Sequence, residues 1–227
     1  MRYNRQLKKI IGLSLIPITI ITIVFSYLQI IYKDIAVYAI LNNVFICVLT
    51  GGIVTFIQAV IGYRNSKRDI ILAFYKDLMV IEYKIGHYPY NNVGFTNAIN
   101  ALPDVMNIIL TFSSNVTYAY TQIVFSEKGN SVLDAVKSLY IIYGKQVKAF
   151  KDLDDELCEA IRFADASEED LLKEGITDVR SENIRVNNKL QAKAEIIRDL
   201  YNNDEDRKAR DEAFAVLEQY LFKQKVK

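Results

Sequence analysis

Two long stretches near the N-terminus contain no charged residue, and they constrain the fold of this chain more than any other feature. The first runs from Ile10 to Tyr32 and the second from Ile35 to Tyr63. A helix of about 20 apolar residues crosses the ~30 Å hydrocarbon layer of a bilayer. The sequence therefore predicts two transmembrane helices, at about 10–32 and 35–63. Only Lys33 and Asp34 separate them, which predicts a tight hairpin.

A cleaved signal peptide is the competing interpretation of the first stretch. The apolar core of a signal peptide has about 7 to 15 residues and leads to a cleavage site of small residues. This stretch is longer than such a core, and no site of that kind follows it. We therefore favour a transmembrane helix that is retained.

Basic residues flank the pair of stretches on both outer sides. They are Arg2, Arg5, Lys8 and Lys9 before the first stretch, and Arg64, Lys67 and Arg68 after the second. Loops rich in Lys and Arg stay on the cytoplasmic side of a membrane. The sequence thus predicts a multi-pass protein with both termini in the cytoplasm.

Small and polar side chains recur at helical spacing inside both stretches. The set in the second stretch, which we call the polar stripe, is Asn43, Cys47, Gly51, Thr55, Gln58 and Gly62; the set in the first is Ser14, Ile18, Thr22, Ser26 and Gln29. Steps of three or four residues place each set on one helix face. Amide side chains in lipid need hydrogen-bond partners, so these faces should meet protein or water. Helix packing and a pore lined by several copies both remain open.

The remainder, residues 64–227, has the composition of a water-soluble domain. Of the 28 basic and 27 acidic residues of the chain, residues 1–63 hold five and one, which leaves 23 and 26 for this part. It is therefore slightly acidic, and a basic surface for direct nucleic-acid binding is not expected.

Apolar residues recur at helical spacing through this domain, which predicts an all-α fold. The second apolar stretch should continue as one helix to Gly86, and a turn at Gly86–Phe95 should follow it. Further helices are predicted at Phe95–Ser126, at Ser131 to about Ala166 with Ser131 as cap, from Ser167 to Gly175, at Asp178–Tyr201 and from Asp204 onward. The β-branched and aromatic residues at 112–125 are the part most compatible with a strand. Val105–Phe125 is apolar enough for a third span, but its amides favour a core helix.

Motifs for catalysis or cofactor binding are absent from the sequence. It contains no glycine-rich phosphate loop, G-x-S-x-G, H-E-x-x-H or Cys-x-x-Cys. The single histidine, His87, has no evident nucleophile as a partner, and the two cysteines do not form a disulfide framework. We expect a protein that is not an enzyme and that has no cofactor and no metal.

An acidic run from Asp152 to Glu174 holds ten acids against Arg162 and Lys173. Its carboxylates could bind a divalent ion, but without a calcium-binding loop pattern a solvated helix face is favoured. A third interpretation is a docking surface for a basic partner. The residues proposed for that surface are Asp152, Asp154, Asp155 and Glu159.

The basic start at Arg2–Lys9, the hairpin at Lys33-Asp34 and the run from Gly51 to Arg64 lead into a helical domain. This layout, over about the first ninety residues, resembles the two-helix membrane effectors of bacterial anti-phage defence, found beside retrons and cyclic-oligonucleotide signalling systems. The resemblance implies a protein of the bacterial inner (plasma) membrane that stays silent until infection. Its spans then form a homo-oligomer and permeabilise the bilayer, after a cytosolic regulatory protein or nucleoprotein triggers it. The alternative is a non-catalytic adaptor that docks a cytosolic partner at the membrane.

The basic flanks generate a prediction about topology. A fluorescent protein that folds only in the cytoplasm should fluoresce when it is fused to Lys227, because Arg64, Lys67 and Arg68 should hold that side of the second span inside. Alkaline phosphatase, which needs the periplasm, should be inactive at the same position. An active phosphatase fusion would contradict the orientation.

Overall fold

The computed structural model is helical throughout the residues that it describes, which are 2–33, 35–90, 93–94, 97–126 and 129–222. No strand occurs among them, so the prediction of an all-α fold is confirmed. The helices are α1 (Arg2–Ile31), α2 (Ala36–Gly86), α3 (Ala98–Leu110), α4 (Thr117–Ser126), α5 (Ser131–Asp165), α6 (Glu168–Lys173), α7 (Val179–Asn202) and α8 (Asp204–Phe222).

The chain divides into two compact units, Met1–Asp69 and Ile70–Lys227, which we call the hairpin unit and the helical unit. Helix α2 contributes residues to both, because it continues without a break from Ala36 to Gly86. The predicted domain boundary at Tyr63 was placed at the end of an apolar run. A compact unit need not end where such a run ends, so this boundary stays a prediction.

Within the hairpin unit, α1 and the first part of α2 pack side by side. The rings of Phe25 and Phe45 stack with their centroids 5.1 Å apart, and those of Tyr32 and Tyr38 lie 5.7 Å apart near the connection. Farther along, a Cβ atom on Gly52 would lie 2.6 Å from the Leu15 side chain. Small residues at such a contact let helices approach closely.

Both helices of the hairpin unit are long and apolar enough to cross a membrane. Only 6% of the apolar window in each is buried inside the protein. The core helix of a soluble protein would be mostly covered by its neighbours. Here large apolar side chains such as Ile20, Ile23 and Ile30 remain exposed, which is compatible with helices that span a membrane.

The helical unit is built around α5. This helix packs against α3, α7 and α8. Its buried positions recur around most of its circumference and include Leu139, Tyr143, Phe150 and Leu153, so it forms the centre of the core. Its N-cap is Asn130, whose side chain accepts a hydrogen bond from the Leu133 N–H; the sequence had indicated Ser131. The remaining apolar face of α2, from Ile71 to Ile85, belongs to the same core.

A π-helical turn, Thr111–Val116, directly follows α3 and directly precedes α4, so the three segments form one uninterrupted helix. The Thr117 N–H reaches the Phe112 carbonyl, which also accepts a hydrogen bond from the Thr117 hydroxyl at 3.0 Å. Val105, Ile108 and Ile123 are fully buried, so the predicted assignment of this segment as a core helix is confirmed. The segment with β-branched and aromatic residues, 112–125, is helical and begins within the π-helical turn; it does not form a strand. The predicted start at Phe95 lies outside the described residues.

The central position of α5 leads to a prediction about stability. Leu139→Ala should lower the free energy of unfolding by about 2–5 kcal/mol, because Leu139 is fully buried and its truncation leaves a cavity. The matched control is Ile141→Ala on the same helix, where the side chain is 58% exposed and the change should be within about 0.5 kcal/mol. Urea unfolding followed by circular dichroism measures both, and equal losses would contradict the assigned core.

Candidate functional site

A polar contact joins the two helices of the hairpin unit at Asn42. Its side-chain oxygen accepts a hydrogen bond from the Ser26 hydroxyl at 2.8 Å, and its NH₂ group donates to the Gln29 side-chain oxygen at 2.6 Å. Asn42 is only 8% exposed, and Thr22, one turn before Ser26, is also buried. The polar face predicted for the first span is therefore satisfied inside the chain.

Sequence reasoning missed Asn42 and selected its neighbour Asn43. Adjacent residues of an α-helix point about 100° apart, so only one of two consecutive amides can face a given partner. The steps of three and four that connect Asn42 with Phe45 and Gly52 were a usable signal, because they follow the face that packs against α1.

The polar stripe lies on a different face of α2 from Asn42, and this face is open in the described part of the hairpin unit. Asn43, Cys47, Thr55 and Gln58 are exposed. A Cβ atom added to Gly51 or Gly62 would meet open space. All six residues predicted for the stripe are thus brought to one open face of a single helix.

The two amides of the stripe differ from its other members in their hydrogen bonding. The Thr55 hydroxyl donates to the Gly51 carbonyl at 2.8 Å, within its own helix. Asn43 and Gln58 have no side-chain hydrogen bond within the described part of the chain. A polar group in hydrocarbon without a partner costs several kcal/mol. In a membrane, these two amides would therefore require a protein or water partner from outside the described residues.

The predicted acidic surface lies on the C-terminal half of α5. Asp152 and Asp155 are exposed, whereas Asp154 is half-buried, and burial, together with the charge of Asp155, raises its pKa. Glu159 is within 3.5 Å of Arg185 and 3.6 Å of Lys189, both on α7.

Glu159 is therefore already paired, and the exposed charge belongs to Asp152 and Asp155. Among the described residues, no cluster of three or more side chains is arranged to hold a metal ion. The role of this surface in docking stays a prediction.

A buried ionic cluster in the helical unit was not foreseen from the sequence. It consists of Glu82 on α2, Tyr143 on α5, Tyr201 on α7 and Arg210 on α8. The Glu82 carboxylate accepts hydrogen bonds from the Tyr143 hydroxyl and, at 3.0 Å, from the Tyr201 hydroxyl. The Arg210 Nε lies 3.5 Å from the same carboxylate, and the guanidinium carbon is 4.6 Å from the centre of the Tyr201 ring.

The ionic cluster connects four helices through one carboxylate. Burial and the neighbouring Glu82 raise the pKa of both tyrosine hydroxyls, so they remain hydrogen-bond donors. Arg210 is only 4% exposed and supplies the compensating positive charge. Tyr143 and Tyr201 are 61 and 119 residues away from Glu82 in the chain. Local sequence patterns do not predict contacts over such separations.

Comparison with known proteins adds no relative. No family model matches this chain, and neither the curated proteins nor the solved structures contain a significantly similar one. Any functional interpretation therefore depends on the layout of the sequence and on the contacts described above.

The ionic cluster generates a prediction about the helical unit. Arg210→Met should lower the free energy of unfolding by about 3 kcal/mol, because it removes one partner of a buried ion pair and leaves the Glu82 carboxylate without its compensating charge. The matched control is Arg207→Met on the same helix. Arg207 is 60% exposed and pairs with Asp204 at the surface, so its loss should change stability by about 0.5 kcal/mol or less. Similar effects of the two substitutions in denaturant unfolding would contradict the structural role of the cluster.

Proposed function

We propose that this protein is a membrane effector of bacterial anti-phage defence, which self-associates through the polar stripe and permeabilises the inner membrane when its helical unit is triggered. The observation that carries the proposal is the open stripe of α2, where the amides of Asn43 and Gln58 lack partners within the described part of the chain. The layout of the sequence supplies the connection to defence systems.

Self-association would satisfy these amides at little cost. Hydrogen bonds between transmembrane helices contribute about 0.6 to 2 kcal/mol each, and a symmetric oligomer repeats the term in every subunit. Gly51 and Gly62 support the same geometry, because the open space around them permits close approach of a second helix. The hairpin contact at Asn42 lies on another face and remains intact in such an oligomer.

Permeation requires more than association, because a continuous apolar wall excludes water from a narrow passage. The hydroxyl of Thr55 and the amide of Gln58 are exposed in the last third of the second apolar stretch. When several copies surround a common axis, these groups supply the polarity that keeps the passage wet. A stripe that is only partly occupied by neighbouring helices serves both purposes.

The helical unit would receive the trigger. Helix α2 carries both the polar stripe and Glu82, and Glu82 is held by side chains of α5, α7 and α8. A partner that changes the packing of these helices therefore acts on the same helix that carries the stripe. The exposed carboxylates of Asp152 and Asp155 favour a basic partner, either a regulatory protein or a nucleoprotein.

A second possible function is a non-catalytic adaptor that positions such a partner at the bilayer. The observation that favours it is the exposure of Asp152 and Asp155, which requires no activity of the hairpin itself. Expression without other components distinguishes the two functions. An effector should depolarise and arrest the host cell or need a silencing partner, whereas an adaptor should be harmless.

The stripe generates a prediction about activity. Gln58→Leu should leave expression and membrane insertion unchanged, because it makes the helix more apolar, and it should reduce depolarisation of expressing cells by removing the unpartnered amide. The matched control is Ile57→Leu, one residue around the helix and also exposed, which should behave as wild type. A membrane-potential dye measures the result, with protein levels matched by immunoblotting.

Cysteine crosslinking separates association from permeation in the same cells. Cys47 lies on the stripe. Replacing Cys158 by serine leaves Cys47 as the one remaining thiol. Mild oxidation should produce a crosslinked dimer through Cys47, since a disulfide forms only when the two Cα atoms come within about 7 Å. Crosslinking without depolarisation would show that the stripe only packs, and full depolarisation by Gln58→Leu would remove the stripe from the mechanism.

A further inference from the structure

A basic groove in the helical unit has no role in the membrane function proposed above. Its volume is about 270 Å³, and it lies between the π-helical turn and α5. It is lined by Phe112, Ser113, Thr117, Tyr140, Gly144, Val147, Lys148 and Lys151. The structure thus places two cations and three hydroxyl groups around one small cavity.

The charge of the groove differs from that of its surroundings. Lys148 and Lys151 are both exposed, and neither forms an ion pair within the described part of the chain. No acidic residue lines this groove, whereas Asp104 lines one further cavity of the helical unit, and Glu159, Glu174 and Glu182 line another. Asp152 and Asp155 follow these lysines by one turn on α5 but do not line the groove. Two ammonium groups without an ion pair, at a cavity without an acidic lining residue, favour an anionic ligand.

The hydroxyl groups of the groove have different roles. Thr117 donates to the Phe112 carbonyl, and its oxygen lies 3.4 Å from the Tyr140 hydroxyl, so these two groups stabilise the wall. The Ser113 hydroxyl is exposed and has no partner within the described residues, so it remains available as a donor. Ser113 lies inside the π-helical turn, a feature that is frequent at functional sites in helices.

The floor of the groove is formed at Gly144. Lys148 follows one turn later on the same helix, and Lys151 three residues after that, so the two ammonium groups project from one side of α5. A Cβ atom at position 144 would lie 3.7 Å from the Phe112 ring, in ordinary contact with it. The absence of a side chain at Gly144 therefore leaves space in the groove beside the Phe112 ring.

We propose that this groove binds a phosphoryl group, with Lys148 and Lys151 neutralising its charge and the Ser113 hydroxyl donating a hydrogen bond. A phosphate monoester carries close to two negative charges at neutral pH and offers three terminal acceptor oxygens, which match two ammonium groups and one hydroxyl. The cavity is large enough for this group. The ligand is thus a soluble phosphate monoester or inorganic phosphate, or else the monoester headgroup of an acidic lipid.

The test uses the full chain in detergent, in buffer that contains no phosphate, with inorganic phosphate as the probe. An amine-reactive reagent modifies exposed lysines, and mass spectrometry gives the rate at each position. Phosphate should slow modification of Lys148 and Lys151 at least about threefold, because a bound oxyanion covers both amines and stabilises their protonated, unreactive form. The internal control is Lys137, which is exposed on the same helix but outside the groove, and chloride at equal ionic strength controls for screening.

A second pair of samples distinguishes a soluble phosphate ligand from the phosphate headgroup of a lipid. The full chain is placed in nanodiscs of phosphatidylcholine alone and in nanodiscs that also contain phosphatidic acid, both without free phosphate. Protection only by phosphatidic acid supports the site and assigns it to a lipid headgroup. Protection by free phosphate supports the site and assigns it to a soluble ligand. Protection of Lys148 and Lys151 in none of these samples overturns the proposal.

Substitutions test whether the residues of the groove bind the phosphate that protects the lysines from modification. In isothermal titration of the detergent-solubilised chain, Lys148→Gln combined with Lys151→Gln should weaken phosphate binding at least about tenfold, since each charged hydrogen bond contributes substantially to affinity. Ser113→Ala should weaken it less, and Lys137→Gln should not change it. Unchanged binding in the double variant would overturn the assignment. The groove lies wholly in the helical unit, so this result is independent of the outcome for Gln58.

Discussion

The hydrogen-bond requirement of side chains in an apolar environment is the constraint on which the rest of this structure depends. In the middle of a bilayer, water is not available to pair with polar groups, so each polar side chain of a membrane-spanning helix needs a partner from protein. Asn42 meets this requirement through Ser26 and Gln29, and thereby holds α1 and α2 in register. In a membrane, the same requirement would apply to Asn43 and Gln58, because their amides are exposed on another face of α2.

In the helical unit, the requirement for hydrogen-bond partners is met by an ionic cluster around Glu82. Glu82 lies among apolar side chains of the core and is satisfied by two tyrosine hydroxyls and one guanidinium group from three other helices. A partly buried charge of this kind is stable only while all its partners are in place. The cluster therefore makes the position of α2 depend on α5, α7 and α8 together.

Elements that depend on local patterns could be predicted from the sequence, and those that depend on distant contacts could not. The start of α5 next to Asn130, and of α8 at Asp204, follows from capping groups and from apolar residues at helical spacing, both of which are local. The π-helical turn at Thr111–Val116 escaped prediction, since its residues fit a regular helix or a strand equally well and only the packing of Phe112 and Val116 in the core selects the wider turn. The choice between Asn42 and Asn43 escaped for a similar reason, because it depends on where α1 lies.

Two helices able to cross a membrane and an all-helical remainder could be predicted from the amino-acid sequence alone, because charge-free length and apolar periodicity are properties of single segments. Three-dimensional packing was needed to show which polar face has partners within the described residues and which is open, how Glu82 meets Arg210, and that Lys148 and Lys151 share a groove with Ser113. These are relations between segments far apart in the chain. Their physical basis is the pairing of buried or exposed charges and amides in three dimensions, which has no counterpart in the local spacing of residues.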